Sequence, residues 1–93
     1  MEININCDLG EKSKLHNNEN DPYLLGIVNS ANVACGYHAG DEETMDQVIK
    51  ISKDNGVSIG AHPSFDDPDN FGRKRMNLSS SEVRKLIIDQ YEI

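Results

Sequence analysis

Positive charge is scarce in this chain. Nine lysines and arginines stand against 16 aspartates and glutamates, for a net charge of −7. The longest basic run is Arg73-Lys74-Arg75, so neither nucleic acid nor an anionic membrane is expected as the main partner. Long apolar runs are also missing. No segment can span a bilayer, and residues 1–20 are too polar and acidic for a signal peptide. Cysteine is limited to Cys7 and Cys35, each inside a strand-like pattern. They read as small reduced core residues of a cytoplasmic protein, since cysteines on adjacent strands seldom meet disulfide geometry. Hydrophobic residues make up 37% of 93 positions, enough for one small domain with a thin core. There is no GxxxxGK[ST] phosphate loop and no HxxxH metal pair.

What is present centres on Ser30 through Asp41. Ala31, Val33 and Cys35 alternate with Asn32 and Ala34, the pattern of a strand. The strand breaks into a loop from Gly36 to Gly40, whose glycines permit backbone angles that other residues resist and let a ligand come close. His38 lies between them, and Asp41 is placed to cap the helix that follows. Strand, displayed histidine and helix start make either a reaction site or an ordinary turn whose histidine binds backbone.

The rest of the chain repeats this order. Residues 2–7 alternate, with Ile3, Ile5 and Cys7 on one side and Glu2, Asn4 and Asn6 on the other. Asp8 and Glu11 follow at the strand's C-terminal end. Residues 12–20 lack periodicity and read as a loop, with His16 exposed to solvent. Asp21-Pro22 reads as a helix start, the aspartate as cap, leading through Tyr23, Leu24, Ile27 and Val28 to the second strand. A helix over about residues 42–55 carries Met45, Val48, Ile49 and Ser52 on its buried stripe, and Gly56 stops it. Residues 57–61 form a short third strand ending at His62-Pro63. The long loop over 64–77 contains Asp66, Asp67 and Asp69, which suit turns, and Arg73. That arginine either clamps a substrate anion or pairs with one of the aspartates. Ser79 and Glu82 form a capping box, Leu78 and Val83 a hydrophobic staple, and Val83, Leu86, Ile87, Gln90 and Tyr91 the stripe of a last helix.

Strands alternating with helices predict an α/β protein with a parallel sheet and right-handed crossovers. In such folds ligands bind beyond the C-terminal ends of the strands. Asp8, His38 and His62 would rise from that rim. One carboxylate and two imidazoles can hold a divalent metal, or serve as general acid and base without one. Three strands leave two exposed edges and one polar face. The chain is therefore expected either to be a fragment of a longer protein or to cover its edges with another copy of itself.

Four blocks then resemble a known family: Asn4 to Glu11, Ser30 to Asp41, Gly60 to Ser64, and Phe71 to Met76. In order and spacing they resemble the LamB/YcsF family, whose members are A subunits of bacterial 5-oxoprolinase. The resemblance implies that residues 1–93 are one partial domain, the N-terminal part of an irregular β/α barrel of the TIM-like, glycoside hydrolase/deacetylase type. It implies ATP-dependent opening of 5-oxo-L-proline to L-glutamate, in a complex with B and C subunits. In the deacetylase relatives an aspartate and two histidines bind metal, which would make Asp8, His38 and His62 the candidates here. Glu11 and Asp41 fall in matching blocks as acid/base or amide contacts. Asn6, Asn32 and Arg73 are the candidate substrate contacts, Arg73 for a carboxylate or phosphate. The chain departs from the family at Lys12-Ser13-Lys14, in a first loop without glycine, and at Lys74, where a second arginine is usual. Two other readings remain: a metal-dependent amide or acetyl hydrolase, and a non-catalytic module that associates through its sheet edges.

Overall fold

The computed structural model describes residues 3–13 and 17–93. The expectations for Glu2 and His16 lie outside the described residues. The elements run β1 (Asn6–Leu9), α1 (Asp21–Leu25), β2 (Ser30–Ala34), α2 (Glu42–Asp54), β3 (Ser58–His62), a 3-10 turn at Pro68–Asn70, and α3 (Ser80–Tyr91). The strands form one parallel sheet in the order β1-β2-β3, the α/β class expected. Leu9 pairs with Val33 across the first ladder and Ala34 with His62 across the second.

The pleat sorts the two faces. Leu9, Ala31 and Val33 turn toward the helices and form the core with Leu25, Val28, Val48 and Val57. The opposite face carries Asn6, Asp8 and Asn32, whose amide nitrogen donates to Asn6 Oδ1 at 3.0 Å and Asp8 Oδ1 at 3.2 Å. Fully burying an aliphatic side chain is worth about 1.5–3 kcal/mol, so this one-sided core is what holds the unit together.

Three local expectations change. β1 begins at Asn6 and runs through Asp8, which is therefore inside the strand and not past it. The reason lies in Asn29. Its backbone N–H and that of Ser30 both donate to the Ile5 carbonyl, and its side chain accepts from Ile5 N at 2.8 Å. Ile5 is thereby tied to the α1–β2 turn, and Ile3 and Ile5 are exposed. Asp21 is the first residue of α1 and not its cap; Asn20 holds the cap position without a side-chain bond. The stripe assigned to α3 is buried only at Gln90, while Ile87 and Tyr91 are exposed. The described sheet ends at β3, so the apolar side of α3 has little to pack on. The capping box is present as expected, Ser79 Oγ accepting from Glu82 N and Glu82 Oε1 from Ser79 N. Both cysteines are free. Among the described residues, no helix is long and apolar enough to cross a membrane.

Candidate active site

His38 is fixed by the loop that follows β2. Gly40 has φ +81° and its N–H donates to the Lys12 carbonyl at 2.7 Å. A Cβ there would lie 2.4 Å from the Gly10 carbonyl oxygen, so only glycine lets the first and second loops touch. That contact brings Glu11 to His38. His38 is 2% exposed, and its Nε2 lies 3.2 Å from Glu11 Oε2. An ionised carboxylate only accepts, so the imidazole donates from Nε2. His38 Nδ1 is then left buried, with no partner among the described residues.

His62 ends β3 and stacks beside His38, with ring centroids 4.7 Å apart and planes tilted by 54°. Its Nδ1 is 3.8 Å from Asp8 Oδ1. That is close enough for charge attraction but too long for a hydrogen bond, and Nδ1 makes no other bond among the described residues. A third of the His62 side chain remains open to solvent. Phe71 meets His38 in a T-shaped contact with centroids 5.1 Å apart, and the Arg73 guanidinium lies 5.3 Å from the centre of the Phe71 ring.

These groups line one cleft of about 510 Å³, which also includes Asp21 and Ser64. Three of its walls end in carboxylates: Asp8, Glu11 and Asp21. Asp21 is buried and its carboxylate accepts from Gly10 N at 2.9 Å. Burial raises its pKa above the ordinary value; the Gly10 bond opposes the shift, and nearby Glu11 adds to it.

The sequence candidates therefore divide. Asp8, Glu11, His38, His62 and Arg73 share the cleft. Asn6 and Asn32 sit on the polar sheet face, bonded to each other and, through Asn32, to Asp8. Asp41 does not line the cleft; it caps α2, accepting from Thr44 N at 2.7 Å, and this bond lowers its pKa. The carboxylate grouped with both histidines is Glu11, where Asp8 was expected: donor atoms of Glu11, His38 and His62 all lie within 4.8 Å of one another. Asp67 is a turn residue, accepting from Asn70 Nδ2 at 3.0 Å. Ser64 and Phe71 line the cleft with no local pattern to mark them, and Asp21 joins it although its place before Pro22 suggests only a cap. Gln90 falls by period among the apolar stripe residues of α3, and a polar amide in such a position is the available signal.

The LamB/YcsF family model matches residues 3–93. The A subunit of 5-oxoprolinase from Staphylococcus epidermidis is 44% identical over 90 residues, covering 97% of this chain and 36% of that protein. Its counterpart from Staphylococcus haemolyticus is 46% identical over the same length, with the same coverage. Among solved structures, the lactam utilization protein from Thermus thermophilus superposes with a TM-score of 0.90 at 36% identity, over 99% of this chain and 37% of that one. The chain thus spans 36% of the length of the curated relatives it matches. On this match of sequence and fold, the chain belongs to the LamB/YcsF family.

Proposed function

We propose that this chain carries the histidine–carboxylate rim of a 5-oxoprolinase A subunit, which opens 5-oxo-L-proline to L-glutamate with B and C subunits. One observation carries the reading: Asp8, Glu11, His38 and His62, from three different strand ends, share one cleft. A lactam carbonyl is a poor electrophile. Phosphorylation of its oxygen by ATP, with ADP leaving, would weaken the ring amide. Water added to the carbonyl carbon would let the C–N bond break with the nitrogen leaving as the amine, and a second water would release phosphate to give glutamate. His62 is the open imidazole, and Asp8 stands beside its Nδ1. That pair would take the proton from water, with Asp8 stabilising the imidazolium that forms. Behind it, half-buried Glu11 would keep the ring of buried His38 oriented. Arg73 is the partner for the substrate carboxylate. ATP is assigned to the assembled enzyme, because the carboxylates of Asp8, Glu11 and Asp21 would repel a triphosphate in this cleft. A reducing cytoplasm is part of the same reading and accords with two free thiols.

A second reading is favoured by the Glu11, His38 and His62 donors. Two nitrogens and a carboxylate suit a divalent transition metal. The 3.2 Å between His38 Nε2 and Glu11 Oε2 fits donors bound to one ion about 2.0–2.1 Å away, though the 4.8 Å span of the whole group would have to close. Such an ion would polarise the amide carbonyl. The deciding experiment supplies the protein, assembled with B and C subunits, with 5-oxoproline. Glutamate formation that requires ATP and is lost in His62→Gln supports the first reading. Turnover without ATP that chelation abolishes supports the second. No glutamate from an assembled complex would end the proposal.

A further inference from the structure

Gln90 is the one buried residue of α3, at 2% exposure, and it lies far along the chain from the cleft. Its amide is nevertheless committed to the cleft's edge. Gln90 Oε1 accepts from Ser64 N at 2.8 Å. Its Nε2 donates to the Ser64 carbonyl at 2.6 Å and to the Leu86 carbonyl of its own helix at 3.0 Å. Both main-chain groups of Ser64 are thus gripped by one side chain, as a strand neighbour would grip them. Ser64 is only two residues beyond His62, joined to it through Pro63, whose ring restricts the residue before it. On its other side Ser64 presses on Gly72: a Cβ on Gly72 would lie 2.0 Å from Ser64 Oγ and 2.8 Å from His38 Cβ. A continuous packed path therefore runs from the Gln90 amide through Ser64 to His62 in one direction, and through Gly72 to His38 in the other.

We infer that Gln90 is a positioning residue for the two histidines, setting the separation and tilt of their rings through Ser64. A core-filling role would need no amide: leucine fills nearly the same volume, and a buried amide is costly unless its polar atoms are bonded. Here both ends are bonded to main chain, in a helix that buries no other residue. The consequence for turnover rests on the lactam-opening reading above; the consequence for the rings does not.

The test compares wild type, Gln90→Leu and Gln90→Glu in the protein assembled with B and C subunits, with NMR spectra of the His38 and His62 rings recorded on the chain. Gln90→Glu keeps an acceptor for Ser64 N and loses the donor to its carbonyl. We expect Gln90→Leu to shift both histidines' ring resonances and lower kcat about 100-fold with little change in KM, since a misplacement near 1 Å costs that much. Gln90→Glu should fall between. A role in stability alone would lower Tm but leave the ring resonances of the folded variant unmoved. Folded Gln90→Leu with wild-type ring resonances overturns the inference. If Gln90→Leu does not fold, Gln90→Glu with unmoved rings overturns it equally. Shifted rings in a complex whose wild type makes no glutamate would keep the inference and discard the lactam-opening reading.

Discussion

Replacing Gly72 with alanine should damage this protein more than a left-handed glycine ordinarily would. Gly72 has φ +70°, where a side chain costs roughly 1–2 kcal/mol. It also has no room: the new Cβ would meet Ser64 Oγ at 2.0 Å, His38 Cβ at 2.8 Å and Ser64 Cβ at 3.2 Å. Ser64 Oγ can rotate away, but His38 Cβ is fixed to the backbone, so the loop itself must move, an overpacking cost of about 1–3 kcal/mol. The sum is roughly 2–5 kcal/mol, a large share of the roughly 5–15 kcal/mol that holds a domain together. Gly56 supplies the control. Its φ is +67° but nothing lies within 4 Å of a Cβ there, so Gly56→Ala should cost only the backbone share. Urea melts of the two variants isolate the steric difference, because unfolded-chain effects of glycine-to-alanine exchange are common to both. Adding Ser64→Ala to Gly72→Ala should recover part of the loss, while the His38 contact persists. Equal midpoints for Gly72→Ala and Gly56→Ala would refute the packing of Gly72 against His38.

Two other outcomes follow from the same coordinates. Asp21 titrates above the ordinary carboxylate value of 3.8 because it is buried. The folded state therefore binds its proton more tightly than the unfolded state does. Over the window from that ordinary value up to the raised one, Asp21 should make stability fall as pH rises, with no further change above it. Asp21→Asn keeps an oxygen for Gly10 N, so stability measured against pH should lose that downward slope; an unchanged slope would mean that Asp21 is not its source. Leu9, 1% exposed and central in the core, should cost roughly 2–5 kcal/mol on truncation in Leu9→Ala. A loss under about 1 kcal/mol by chemical denaturation would show that Leu9 is not packed in the core with Ala31, Val33 and Val48.

Much of this architecture could be read from local signals. The Ser79–Glu82 box, the Asp41 cap and the apolar period of α2 are short-range patterns, and each is in place. Alternation placed Asn6 and Asn32 away from the core because the pleat leaves no other choice. Long-range contacts were not legible. β1 starts late because Asn29 engages Ile5 from 24 residues away. Asp21 looked like a cap, since aspartate before proline usually is one, yet its carboxylate serves Gly10. Glu11 outranks Asp8 beside the two histidines because Gly40 and Gly10 bring the loops together, a contact that no spacing rule encodes. Gln90 fell on the apolar stripe by period alone, and only the fold shows that Ser64 is what it holds.

The proposed chemistry requires the ends of β2 and β3 to deliver two imidazoles to one place. Nuclear Overhauser spectroscopy of the folded protein reads that directly through the ring protons of His38 and His62, whose centroids lie 4.7 Å apart. A cross-peak between the two rings, lost in His62→Gln, is the predicted result. Assigned ring signals from a folded chain with no cross-peak between them would contradict it.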